Sequence, residues 1–203
     1  MDWTYASDNW GVGLPGEGRD RWDFYRPLLA DPALKPSQAD IVNASAVFLE
    51  YLQVRMSSPL FRLHTADQVE RSVTFLNTGP GQIPGLIVMH LSDVDKLDPN
   101  YSDIVVLFNA SQDALTFADN GFIDQGYSLH PIQQKSADPV VRTASFISAT
   151  GSFTVPGRTT AVFVWNNPVP MPIRPTQLVV IGIVIAFLVA IGLAAFLLRR
   201  RIN

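Results

Sequence analysis

The chain has 203 residues, 47% hydrophobic and 16% charged, with a formal net charge of −3 and no cysteine. That length holds one ordinary domain with an added segment, and without cysteine a disulfide framework or thiolate metal site is excluded. The mildly acidic balance argues against nucleic acid as a partner.

Residues 1–36 are rich in Gly, Pro, Asp and Trp and show neither helical nor alternating periodicity. They read as an ordered loop with a short helical turn at "WDFYRPLLA". Gly11-Val12-Gly13-Leu14-Pro15-Gly16 matches the spacing of a dinucleotide-binding loop. That motif needs a buried strand before it and a helix after it, and Pro15 removes an amide that a phosphate would use. The match is a coincidence within a glycine-rich turn. Trp3, Tyr5, Trp10, Trp22 and Tyr25 crowd into the same loop and imply packing on a larger body.

A helix follows. Ser37, with Asp40 three positions on, makes a capping-box start, and Pro59 ends the helix at "SSP". Ile41, Ala44, Val47, Phe48, Tyr51, Leu52 and Met56 are expected on one face. Eight β-rich runs come next: "SVTFLN", "GLIVMHL", "DIVVLFNAS", "ALTFA", "YSLHPIQQ", "SFISA", "SFTVP" and "TTAVFVW". Ala149-Thr150-Gly151 reads as the turn between the sixth and seventh runs. The pattern predicts an antiparallel β-sandwich.

Few residues invite chemistry. His64, His90 and His130 are isolated and read as structural. Asp93, Asp95, Asp98, Asn100 and Asp103 cluster in "DVDKLDPNYSD", yet the glycine and glutamate that an EF-hand requires are missing. An irregular calcium loop and a solvated loop are the two readings, the second preferred. Asn43, Asn100 and Asn109 begin glycosylation sequons by pattern alone. Asp2, Asp8, Glu17, Asp20 and Asp23 suit turn capping better than paired-carboxylate catalysis.

"NNPVPMPIRP" predicts a stiff stalk. Leu178 to Leu198 is an uncharged apolar run followed by Arg199, Arg200 and Arg201. About 20 such residues span a bilayer, so a single transmembrane helix anchored in membrane lipid is expected. The arginines place the C-terminus in the cytoplasm and the sandwich outside it. Taking those three from the 15 basic residues leaves 12 against 18 acidic ones, so the external part is acidic. "MDWTYASDNW" has neither the basic start nor the apolar stretch of an export signal, which implies tail-first insertion or a start further upstream.

Seven ordered blocks carry a family resemblance: "DNWGVGLP", "LLADPALKPSQADI", "RMSSPLFRL", "FLNTGPGQIPGLIVM", "DIVVLFNAS", "HPIQQKSADPVVRTASF" and "FTVPGRTTAVFV". Together they resemble the C-terminal part of pullulanase-type α-1,6-glucosidases, almost continuously from Asp2 to about Val164. The resemblance implies that residues 1–58 are the loop and last helix of a (β/α)₈ catalytic barrel. It implies that 59–165 form the C-terminal β-sandwich, leaving 166–175 as stalk, 176–198 as membrane helix and 199–203 as basic tail.

It further implies that Asn9 and Trp10 lie on a loop near the substrate cleft. The family's nucleophile, general acid and supporting aspartate have no counterpart here, so α-glucan would be met only through the missing barrel, with no cofactor. The expected function is the non-catalytic, membrane-anchored end of a debranching glycoside hydrolase. A stand-alone surface module binding glycans through its N-terminal aromatics is the alternative.

Overall fold

A computed structural model describes residues 16–168. The chain opens with a 3-10 segment and α1 (Trp22–Ala30), the short helix anticipated at that stretch. It continues into α2 (Gln38–Ser57), which begins as its sequence requires. The Ser37 hydroxyl accepts from the Asp40 amide at 3.2 Å, and the Asp40 carboxylate accepts from the Ser37 amide at 2.9 Å. Bonding to Ser37 holds the Asp40 carboxyl below its usual pKa. A 3-10 turn (Pro59–Arg62) and α3 (Ala66–Ser72) lead into the sheets. Sequence periodicity gave no sign of these two elements.

All eight strands overlap the runs picked out by their composition, with β2, β3 and β8 running one or two residues beyond them. They are β1 (Val73–Phe75), β2 (Leu86–Ser92), β3 (Tyr101–Asn109), β4 (Leu115–Ala118), β5 (Ser128–Leu129), β6 (Ser145–Ile147), β7 (Ser152–Val155) and β8 (Thr159–Asn166). They form a five-stranded sheet in the order β1-β2-β3-β8-β5 and a three-stranded sheet in the order β4-β7-β6. Every pairing is antiparallel. The anticipated turn joins β6 to β7, and Gly151 takes φ +59° there. A Cβ at that position would strike the Asp119 carbonyl, so only glycine fits.

Alternate residues of the large sheet build two cores. Val88, Val105, Leu107, Ala161 and Phe163 face the small sheet and pack with Phe117, Phe122 and Phe153. Phe153 is fully buried and lies 4.5–5.1 Å, ring to ring, from Phe146, Phe122 and Phe163. Leu91, Ile104, Val106, Val162 and Val164 face the other way, against Val54 of α2 and Leu60 of the 3-10 turn. The middle of the large sheet is therefore covered on both faces. That explains why "IVVL" and "AVFV" are unbroken apolar runs rather than alternating ones.

Asn109 closes the sandwich where β3 ends. Its amide Nδ2 donates to the carbonyls of Asp113 (2.8 Å), Pro156 (2.9 Å) and Val155 (3.2 Å). Its Oδ1 accepts from the Ser111 amide at 2.9 Å and the Ser111 hydroxyl at 2.7 Å. A side chain so enclosed is a structural hub, unlike the exposed sequon asparagines Asn43 and Asn100. Asn109→Ala is expected to cost about 3 kcal/mol in urea unfolding, because it orphans several buried carbonyls at once. Asn43→Ala should stay within about 0.5 kcal/mol. Equal effects from the two substitutions would contradict the hub.

Candidate functional site

The most unusual chemistry of the described chain sits where α2 meets the sandwich. Of the seven residues expected on one face of α2, the structure divides them between two. At 100° per residue, Val47, Tyr51 and Val54 point to the sandwich. Ala44, Phe48, Leu52 and Met56, together with Val42 and Leu49, are exposed away from it, and Ile41 is half-buried. Phe48, Met56 and Leu49 are 62%, 59% and 54% exposed. The single stripe is corrected to two, a pattern that suits a helix held between two bodies.

Polar side chains fix the inner face. The Tyr51 hydroxyl donates to the Thr160 carbonyl at 2.9 Å, and the Glu50 carboxylate accepts from the Ala137 amide at 2.8 Å. Gln133 extends the ladder of β8 beyond the short β5. Its Nε2 donates to the Thr160 carbonyl (2.9 Å) and its Oε1 accepts from the Val162 amide (2.7 Å). Burial raises the Tyr51 phenol above its usual pKa, so it serves as a donor at any ordinary pH.

His130 is the deepest titratable group of this junction, 1% exposed. Its Nδ1 accepts from the Ile132 amide at 3.2 Å, which places the ring proton on Nε2. Nε2 lies 3.0 Å from the Ser57 hydroxyl, which in turn donates to the Val54 carbonyl at 2.7 Å. Every donor in this chain has an acceptor only while the imidazole is neutral. Desolvation pushes its pKa down to about 4. The arrangement is structural, as the isolated histidine suggested, and it clamps the end of α2 to the sheet.

The acidic stretch does not converge. Asp93 accepts from the amides of Leu97 (2.7 Å) and Asp98 (3.1 Å). Asp98 accepts from those of Asn100 (2.7 Å) and Tyr101 (3.2 Å). Asp95 pairs with Arg71 at 2.9 Å, and Asp103 with His90 at 2.8 Å. Among the described residues no three His, Cys, Asp or Glu side chains gather to hold a metal ion. The preferred solvated loop is corrected at Asp93 and Asp98, which are buried and fold back on the backbone of their own turn. Asn9 and Trp10 lie outside the described residues, as do Leu178, Leu198, Arg199, Arg200 and Arg201. Among the described residues no helix is long and apolar enough to cross a membrane.

The clamp makes a pH prediction. Unfolded, His130 takes up a proton near 6.5; folded, only near 4. The unfolded chain therefore binds more protons between those values, and stability falls as the pH drops through that window. The loss attributable to this residue is about 3 kcal/mol. Urea unfolding of the wild type and of His130→Gln from pH 7 to pH 4 checks it. The variant should lose that part of the slope; identical slopes would contradict the clamp.

The comparisons with known proteins agree on one family. Residues 5–166 match the model for alpha-1,6-glucosidases, pullulanase-type, C-terminal. The chain is 45% identical over 173 residues to the chloroplastic pullulanase 1 of Arabidopsis thaliana, covering 81% of this chain and 18% of the plant protein. It is 30% identical over 167 residues to a Klebsiella pneumoniae pullulanase, covering 80% of this chain and 15% of that protein. The crystal structure of a maltotriose complex of PulA from Klebsiella pneumoniae superposes with a TM-score of 0.71 at 28% identity. That match covers 84% of this chain and 19% of the solved one. The chain thus spans less than a fifth of the length of these relatives. Its family is that of the C-terminal region of pullulanase-type α-1,6-glucosidases, to which it belongs.

Proposed function

We infer that the chain is the non-catalytic, membrane-anchored C-terminal portion of a pullulanase-type glycoside hydrolase that debranches α-1,6-linked glucans. The observation that carries this is the second apolar face of α2. A helix clamped to the sandwich by one side, with Phe48, Leu52 and Met56 bare on the other, needs a further body against it. The family relation supplies one, since the relatives carry more than four-fifths of their length outside the matched region. In the parent enzyme α2 acts as the closing helix of the catalytic barrel, and the sandwich braces it from outside.

Hydrolysis of a glycosidic bond takes two carboxyl groups, one to protonate the leaving oxygen and one to attack or activate water. The buried carboxylates here have other work. Asp93 and Asp98 are buried and hold backbone amides. Catalysis then belongs to the preceding body, and α-glucan reaches this chain as a substrate of that body.

The apolar run 178–198 anchors the assembly in lipid, with Arg199, Arg200 and Arg201 on the cytoplasmic side.

Two outcomes follow. The detergent-solubilised chain should release no reducing sugar from pullulan above a buffer blank. Turnover that vanishes on changing one of its own carboxylates to an amide would overturn the non-catalytic assignment. A triple variant, Phe48→Ser with Leu52→Ser and Met56→Ser, should change the stability of the isolated chain by no more than about 0.5 kcal/mol per site and reduce its self-association. A loss of several kcal/mol would mean that the stripe is already packed within this chain, and the need for a second body would disappear.

A further inference from the structure

Beyond α2, one half of the outer face of the large sheet stays open. Phe75 on β1, Ile87 on β2 and Phe108 on β3 all point to that face, with Ile87 directly opposite Phe108 in the register. Phe75 and Phe108 are 53% and 37% exposed. They flank an open groove of about 480 Å³ whose rim is the 77–85 loop. That volume falls within the roughly 300–1,000 Å³ of small-molecule sites.

The groove is built in advance. Asn77 fastens its rim with three bonds, Nδ2 donating to the carbonyls of Ile83 (2.9 Å) and Leu86 (2.6 Å) and Oδ1 accepting from the Ile83 amide (2.8 Å). The Gln82 amide closes a turn on the Gly79 carbonyl at 3.1 Å, which leaves the exposed side chains of Gln82 and Thr78 at the rim. Every residue lining the groove is uncharged. A charged ligand would find no counter-charge there, whereas a neutral polyhydroxylated one finds aromatic faces for its C–H surfaces and an amide and a hydroxyl for its O–H groups. The two rings stand two strands apart, about 12 Å by strand spacing and rise, so they suit an extended chain rather than one sugar, meeting units that are not adjacent along it.

We propose that the groove of Phe75, Ile87 and Phe108, with Gln82 and Thr78 at its rim, is a secondary binding site for a neutral α-glucan chain. It serves to hold polymer near the enzyme rather than to cleave it. The choice of α-glucan rests on the debranching reading above; the groove itself rests on geometry.

The test is affinity electrophoresis of the 203-residue chain in a detergent without a sugar headgroup, in native gels cast with amylopectin, with hydroxyethylcellulose or without polymer. Amylopectin should retard the chain, and Phe75→Ala with Phe108→Ala should weaken that retardation by about tenfold, as expected for the loss of partly buried aromatic contact. Both rings are exposed, and an unchanged melting temperature confirms that the variant folds. A Phe48→Ser chain should be retarded like the wild type.

No retardation by amylopectin, or retardation that survives the double substitution, overturns the site. Ring-dependent retardation by hydroxyethylcellulose alone overturns the choice of α-glucan. A groove that instead covers a protein surface would show as self-association relieved by the double substitution with no effect of polymer, and that also overturns the site. None of these results alters pullulan hydrolysis or the response to the α2 triple variant, so the two readings fail separately.

Discussion

The architecture depends on one constraint: the middle of the large sheet, where β3 pairs with β8, must be dry on both sides. Ile104, Val105, Val106 and Leu107 follow one another along β3, and all four are buried. An antiparallel sheet with one wet face would alternate. The small sheet covers Val105 and Leu107, while α2 and the Pro59–Arg62 turn cover Ile104 and Val106. Without α2 the sandwich would expose a second apolar surface, and without the sheet α2 would have no inner partner. Helix and sandwich thus bury one another's apolar surface across the boundary near residue 58 that the family resemblance implies.

That dependence explains why the junction is rich in polar bonds as well as apolar contacts. Hydrophobic burial is non-directional, and α2 has apolar residues all round. Glu50, Tyr51 and Ser57, the last with His130, supply the missing direction. Each ties a side chain to a backbone group or to another side chain at a single rotation of the helix, so that Val54 faces in and Phe48 faces out. A slip of one residue would orphan several of these bonds at a cost of about 1–3 kcal/mol each.

Much of this was legible beforehand, and the misses have physical causes. The eight strands announce themselves through β-branched and aromatic runs cut by Gly, Pro and Asn. The helix announces itself through Ser37 and Asp40. The single apolar face was wrong because Val47 and Phe48, or Tyr51 and Leu52, are neighbours in sequence but about 100° apart on the helix. Counting both members of such pairs merges two stripes into one. The clamp at His130 was invisible, since its partner Ser57 lies 73 residues away and neither residue belongs to a motif. In the acidic stretch the preferred solvated loop missed that Asp93 and Asp98 are buried, because their partners are amides of the turn itself and residue type alone does not show them. The family itself was readable because its signal is spread over ordered blocks rather than one short pattern.

Native-state hydrogen exchange resolved by residue tests the central claim most directly. Amides of β3 and β8, buried between two layers, should exchange only through global unfolding. Those of α2, clamped on one face and bare on the other, should open at a distinctly lower free energy, and His130→Gln should lower it further. If α2 instead exchanges at the same free energy as β3 and β8, its outer face is already satisfied within this chain. The account of a helix waiting for a second body would then be wrong.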